Sequence, residues 1–217
     1  MNSVKNKVSL VGVGPGDENL LTLGALEAIK SGDVIIYDNL INLTILNNIK
    51  IDAELVYAGK TAGNHHLPQE KINECMKEYA EAGKYVVRLK GGDPYIFGRG
   101  GEEAQYLLEN HIEFEIIHGV SSIYAVPGYA GIPITHRDCN SEFHVFTGHT
   151  KNGEVNLDFK KIAGLSGSLV FLMGLSNIRM ISEELIKNGM SPYTKAAVIE
   201  SGTRYNQREF RGELGAI

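Results

Sequence analysis

The densest chemistry in the chain lies in Arg88-Leu89-Lys90-Gly91-Gly92-Asp93-Pro94-Tyr95-Ile96-Phe97-Gly98-Arg99-Gly100-Gly101-Glu102-Glu103. A β-rich run ends there in two glycines and an acid. Gly91 and Gly92 let a ligand lie against the main chain. Asp93 offers a carboxylate that accepts hydrogen bonds from hydroxyls or an amine. Gly12-Val13-Gly14-Pro15-Gly16-Asp17 follows the first apolar run in the same way. Its spacing is G-x-G-x-G, so the third glycine of a dinucleotide fingerprint is missing. Pro15 also removes an N–H that a phosphate would use. An acid, Asp38, closes the second apolar run. A ligand-lined turn and a plain tight turn both stay open for this motif.

Gly59-Lys60-Thr61-Ala62-Gly63-Asn64-His65-His66 looks at first like a phosphate loop. The Walker pattern needs a glycine five residues before the Gly-Lys pair, and Glu54 stands there. Lys60 is better read as a positioned cation or proton donor. His65 and His66 are adjacent and cannot share a helix face, and His144 and His149 lack the spacing of a zinc helix. No metal is expected. Gly119-Val120-Ser121-Ser122, Phe146-Thr147-Gly148-His149, Leu172-Met173-Gly174-Leu175 and Glu200-Ser201-Gly202-Thr203 each follow an apolar run. Singly they read as loops. Together they place small or polar residues at many strand ends, as a ligand cleft between two α/β layers requires.

These loops need strands and helices to position them, and the hydrophobic pattern supplies both. Val8–Val13, Val34–Tyr37, Leu55–Ala58, Tyr85–Leu89 and Phe114–Ile117 read as strands. Between them, Thr22–Ser31 has helical spacing with Leu23, Leu26 and Ile29 on one face. Pro68 opens a helix striped by Ile72, Cys75, Met76 and Tyr79 and closed by Gly83, and Glu102–Asn110 is a further helix. Such alternation predicts a largely parallel sheet. Ser121–Tyr129 is compatible with helix; then Gly131 and Pro133 begin a connector. Strands are expected again at Phe143–Thr147, Leu169–Met173, Ala196–Glu200 and Gln207–Gly212, with a helix over Ile178–Asn188. The domains are expected at 1–119 and 140–217, joined by a connector over 120–139. Leu214–Ile217 reads as an unfinished element, so the second domain is expected to be incomplete.

Composition narrows the function classes. The 217 residues carry 21 basic and 26 acidic side chains, a net charge of −5, which provides no general field for nucleic acid. The 43% hydrophobic content excludes a mainly disordered chain. The 25 glycines follow no fixed period, which excludes collagen-like structure. Cys75 and Cys139 form no CxxC pair or disulfide framework, in keeping with a reduced, cytoplasmic compartment. No apolar run is long enough to span a membrane, so neither a membrane nor a nucleic-acid partner is expected.

In this order, VGVGPGD, VIIYDNL, GKTAGNHHLPQEKIN, VVRLKGGDPYIFGRGGEE, GVSSIYAVPGYAGIPITHRD, FTGH, LMGL and ESGT resemble the tetrapyrrole methylase family over about residues 7–214. The resemblance implies a homodimer of two-domain α/β subunits. Each domain is a mixed sheet flanked by helices, the active site lies in the inter-domain cleft, and the fold is not Rossmann. It implies methyl transfer from S-adenosylmethionine to C2 and C7 of uroporphyrinogen III. The products would be precorrin-2, used for sirohaem and cobalamin, and S-adenosylhomocysteine. By the same resemblance Pro15 lines the S-adenosylmethionine site, and Gly91, Gly92 and Asp93 hold its methionine part with Ile96 nearby. Ser121 and Ser122 also touch it, and Met173, Ala197 and Gly202 surround the adenine. Asp38 is the implied proton acceptor and Lys60 the proton donor. Ser121 stands where the family more often has Thr.

Methylation of a ring carbon leaves a cationic ring system that a carboxylate such as Asp38 can stabilise or deprotonate. A polycarboxylate substrate on an acidic chain needs local cations. Arg99 and Arg137 are the expected substrate-binding residues, with Lys60, Arg88 and Lys90 as further candidates. Two other readings stand beside this one: methylation of another precorrin or a non-tetrapyrrole by the same fold, and a non-catalytic module that binds S-adenosylmethionine.

Overall fold

The computed structural model describes residues 6–59, 68–148 and 155–217. The chain divides into two compact units, one running to Ser122 and the other from Ile123. The first unit contains, in order, β1 (Lys7–Gly12), α1 (Leu23–Ser31), β2 (Val34–Tyr37), β3 (Glu54–Tyr57), α2 (Gln69–Glu81), β4 (Tyr85–Lys90), α3 (Gly100–Glu109) and β5 (Glu113–Ile117), and α4 (Ser122–Tyr129) begins at its end. The strands form one five-stranded sheet in the order β3-β2-β4-β1-β5. Every pairing in it is parallel. The expected mixed sheet is therefore all-parallel in this unit, because each strand returns through a helix or helical turn rather than a hairpin.

Two apolar layers cover the sheet. Ala25, Ala28 and Ile29 of α1 pack with Ile35, Val87 and Leu89 on one face. Ile72 and Met76 of α2 pack with Ala104 and Leu107 of α3, Ile36 and Val86 on the other. Burying each such aliphatic side chain contributes roughly 1.5–3 kcal/mol. The central strands β1 and β4 are buried on both faces, and their mostly apolar runs are interrupted by the buried polar residues Ser9, Arg88 and Lys90. Connections leading toward β3 pass over the α1 face, and those leading toward β5 pass over the other, as right-handed crossovers require.

The caps follow local chemistry. The Thr22 hydroxyl accepts a hydrogen bond from the Ala25 amide at 3.2 Å and starts α1. Gly83, at φ 82°, turns the chain after α2. The buried stripe of α1 differs from the expected one: it is Ala25, Ala28 and Ile29, while Leu23 is 87% exposed. Small residues let the helix lie close to the sheet, and Leu23 falls in the first turn at the open edge. α3 begins at Gly100, earlier than the sequence pattern suggests, because the Arg99 carbonyl already accepts from the Glu103 amide at 3.2 Å, while the Gly100 amide is satisfied by the Pro94 carbonyl at 3.0 Å.

In the second unit β6 (Phe143–Thr147), α5 (Phe159–Ile162), β7 (Ser168–Leu172), α6 (Ile178–Lys187), β8 (Lys195–Glu200) and β9 (Arg208–Glu213) follow. β6 and β7 pair in parallel, and β8 and β9 form an antiparallel hairpin. The core gathers Phe159, Ile162, Ile181, Leu185 and Leu214. The four-residue α5 is too short to leave a periodic signal in the sequence. No helix among the described residues is long and apolar enough to cross a membrane.

Candidate functional site

The first unit concentrates its candidate residues at the C-terminal edge of the parallel sheet. There β1 and β4 are neighbours, yet the chain leaves them toward opposite edges and over opposite faces. This reversal opens a crevice at strand ends, the usual ligand position in such sheets. The two glycine loops meet at it. Val13 N donates to Lys90 O at 3.0 Å, Gly92 N to Gly14 O at 2.7 Å and Gly14 N to Gly92 O at 3.2 Å. The backbones are close enough that a Cβ on Gly12 would lie 2.6 Å from Gly92 O, and one on Gly119 would lie 2.2 Å from it. Gly92 is left-handed at φ 68°, and the nearest atom to an added Cβ there is Ser122 N at 3.9 Å. Gly92 is buried and its N and O are both engaged by Gly14, yet an added Cβ there would meet nothing nearer than 3.9 Å, while Gly12 and Gly119 let the three loops pack against one another.

Asp93 ties this edge together. Its Oδ1 accepts from Tyr95 N at 2.9 Å, and its Oδ2 accepts from Gly119 N at 3.2 Å and pairs with His118 Nδ1 at 2.9 Å. The carboxylate is buried and joins the loops after β4 and β5. Its first task here is to shape the loops that a ligand would meet. Pro15 is half-buried on the adjoining loop, Ser121 is buried, Ser122 opens α4, and Ile96 is exposed beside Tyr95 and Phe97.

Asp38 follows β2 on the same edge, with its side chain 18% exposed. Leu40 N donates to its Oδ1 at 2.9 Å, and Arg88 Nη2 donates to its Oδ2 at 3.1 Å. Parity along the strands puts Arg88 and Lys90 on the α2–α3 face with Val86. Both are about 5% exposed and both reach Glu103, which is fully enclosed. Burial and the neighbouring Arg88 charge push the Lys90 ammonium pKa below its usual range, against the pull of Glu103.

One expectation changes here, and one residue is added. Arg88 and Lys90 are not available to substrate carboxylates, because helices cover both faces of the sheet and enclose them. Glu103 was not singled out by the sequence reading. The signal for it was a carboxylate beside Ala104 on the inward stripe of α3, opposite two basic residues at alternating positions of β4.

Arg99 is half-exposed and left-handed at φ 58°, and its guanidinium donates to both Glu102 oxygens at 2.9 and 2.6 Å. Lys60 lies outside the described residues, as do His65, His66 and His149. Among the described residues, no three of His, Cys, Asp and Glu gather as a metal-ligand set.

The second unit has a smaller glycine edge. Gly148 N donates to Leu172 O at 2.7 Å, and a Cβ on Gly148 would lie 2.4 Å from the Gly174 α-carbon. Met173, between them and left-handed at φ 56°, is 54% exposed. Gly202 packs on Val126, where an added Cβ would stand 2.3 Å away. Ala197 is exposed on β8, opposite Arg211. Arg137 is exposed in the segment between α4 and β6. An open depression of about 380 Å³ is lined by Pro133, His136, Cys139, Asn140, Gly167 and Ser168, none of them an expected site residue.

A parallel sheet with a glycine-lined switch point beside a carboxylate defines a small-molecule enzyme of the α/β class. The family model of the tetrapyrrole (corrin/porphyrin) methylases matches residues 7–217, and the chain belongs to that family. It is 49% identical over all of its length, and 86% of the relative's, to the S-adenosyl-L-methionine-dependent uroporphyrinogen III methyltransferase of Methanosarcina barkeri. It is 46% identical to the siroheme synthase of Pseudomonas fluorescens over 97% of this chain, but spans only 46% of that longer protein. A crystal structure of uroporphyrin-III C-methyl transferase from Thermus thermophilus, complexed with S-adenyl homocysteine, is similar at 34% identity and a TM-score of 0.83, covering 96% of this chain and 84% of that one.

Proposed function

We propose that this chain transfers methyl groups from S-adenosylmethionine to C2 and C7 of uroporphyrinogen III, giving precorrin-2 and S-adenosylhomocysteine for sirohaem or cobalamin formation. The observation that carries the reading is the 49% identity, over the whole chain, to a relative of that named activity. The site residues fit the donor, because the half-buried Gly91 and the space beside the Gly92 α-carbon keep side chains out of the way at the switch-point edge. S-adenosylmethionine supplies an electrophilic methyl group, so the protein's contribution is chiefly alignment.

In this reading Pro15, Gly91, Gly92, Ser121 and Ser122 form the donor's bed, with Ile96 beside it. Asp93 holds the bed in shape. Met173, Ala197 and Gly202 serve the adenine. Asp38 faces the cation that develops on the pyrrole, or takes its proton, and Lys60 returns one. Arg99 and Arg137 receive substrate carboxylates. The working form is a cytoplasmic homodimer; light scattering of the purified chain tests the dimer.

Anaerobic incubation with S-adenosylmethionine and uroporphyrinogen III tests the reaction. Mass spectrometry is expected to find a dimethylated product and stoichiometric S-adenosylhomocysteine. Donor binding with no methylated product would leave a binding module. Turnover only on a more methylated precorrin would move the chain to another step.

A further inference from the structure

Glu103 is the most completely enclosed charged side chain among the described residues. It projects from α3 and meets three donors: Lys90 Nζ at 2.8 Å, Gln69 Nε2 at 3.1 Å and Arg88 Nε at 3.4 Å. Gln69 is itself held by Asn73 Oδ1 at 3.1 Å. Arg88 then continues outward, donating through Nη1 to Leu89 O at 2.9 Å and through Nη2 to Asp38 at 3.1 Å. A continuous line of charge-assisted bonds therefore runs from α2 and α3, through β4, to the carboxylate at the end of β2.

Stability alone is a poor reason to keep this line. Enclosing ions is costly, and apolar side chains of similar volume often serve a core as well or better. The geometry has a more particular consequence. Two carboxylates and two cations make the group neutral, and Arg88 is shared between the carboxylates. How strongly its guanidinium holds Asp38 depends on how strongly Glu103 holds Arg88. Lys90 sets that in turn by engaging the other Glu103 oxygen.

We propose that Glu103 is a positioning residue for Asp38: acting through Arg88, and balanced by Lys90, it sets how firmly the guanidinium holds, and so orients, the carboxylate that faces the methylated ring. The inference rests on the proposed role of Asp38 in methyl transfer. The charged groups around the line are Arg88 and Lys90 on β4, Asp38 after β2, and Arg99 at the start of α3, whose guanidinium feels the Glu103 charge. The Lys90 ammonium feels Asp38 as well as Glu103.

The signs follow from the sharing. Glu103→Gln removes one claim on Arg88, so Asp38 gains the guanidinium and ionises at lower pH. Lys90→Met leaves Glu103 with Arg88 as its one buried cation, draws that guanidinium inward, and lets Asp38 hold its proton to higher pH.

The test titrates the Asp38 carboxyl carbon by 13C NMR in the full chain, assigned by its loss in Asp38→Asn. Asp38 is expected to titrate about 0.5 pH or more lower in Glu103→Gln and higher in Lys90→Met. Alongside, kcat for dimethylation is expected to fall roughly 10–100-fold in each with the KM for S-adenosylmethionine unchanged. In an Asp38→Asn background, Glu103→Gln should cost less than about twofold more, because the residue it positions is already gone. Shifts of the same sign, no shift, or a full multiplicative loss in the double variant would overturn the inference. If Glu103→Gln does not fold, Lys90→Met and Glu103→Asp decide it. Glu103→Asp keeps the charge and should keep Asp38 titrating as in the unaltered chain. An unaltered chain that binds S-adenosylmethionine but makes no product overturns the methyltransferase reading instead, and leaves the titration to judge the positioning.

Discussion

The two ends of the five-stranded sheet hold polar groups of different kinds. At the N-terminal end, Asp33 accepts from Tyr85 N at 2.8 Å and from Lys50, and its own carbonyl accepts from Glu54 N at 2.9 Å. Within β1, Ser9 lies between the Tyr85 hydroxyl at 2.8 Å and Glu115 at 2.7 Å, and Lys7 pairs with Glu115. These bonds join strands to one another and end there. At the C-terminal end, the Glu103–Arg88–Asp38 line leads from the helices to a partly open carboxylate, beside glycines whose only side groups are hydrogens. One end fastens the sheet; the other holds groups ready for something outside it. Strand direction explains the division, because every loop that gathers at the switch point leaves a C-terminal strand end.

The difference can be broken at either end. Asp38→Asn should reduce methyl transfer about 10²–10⁴-fold, far beyond what its accompanying loss of thermal midpoint, from leaving Arg88 with one carboxylate, accounts for, read by product mass spectrometry and melting. A large loss of midpoint with activity retained would reverse the assignment of the two ends. Gly119→Ala should harm both, because its Cβ would meet the Gly92 carbonyl at 2.2 Å with only backbone there to yield. Urea unfolding should show a loss of about 1–3 kcal/mol or more, and calorimetry weaker S-adenosylmethionine binding.

Asp33→Asn should do the opposite of Asp38→Asn. It should lower stability by about 1–2 kcal/mol at neutral pH with kcat intact. Lys50 and the Tyr85 amide hold the Asp33 carboxyl below the usual carboxylate range. A depressed folded pKa stabilises above the unfolded value, about 3.9, and that stabilisation disappears as pH falls through the folded value. The gap between Asp33→Asn and the unaltered chain should therefore close on acidification below about pH 4, as denaturation at stepped pH would reveal.

The smallest stability effect belongs to Arg99→Ala. Its pair with Glu102 is exposed, so unfolding should change by less than about 1 kcal/mol. Its mark should be a KM for uroporphyrinogen raised on the order of tenfold, one charge-assisted contact's worth. An unchanged KM would remove Arg99 from the substrate site.

Much of this was legible in the amino-acid order. Strands such as Val34–Tyr37 and Phe143–Thr147 are short β-rich runs bounded by breakers, and they occur where expected. The glycine loops after β1 and β4 declared themselves because few residues other than glycine allow backbones to approach so closely. Other features were hidden. Arg88 and Lys90 look like surface charges until α2 and α3 cover their face of the sheet. Leu23 looks like core until α1 settles on its alanines.

The order of residues thus determined which segments become strands, which turns must be glycine, and which family the loops resemble, since those follow from short-range sterics and hydrophobic period. Only the folded chain decided that Asp93 spends its carboxylate on the Tyr95 and Gly119 amides, and that Glu103 is linked through Arg88 to Asp38. Those pairings depend on which strand lies beside which and on which helix covers them, and the charge of a buried side chain is worth something quite different once water has been removed from around it.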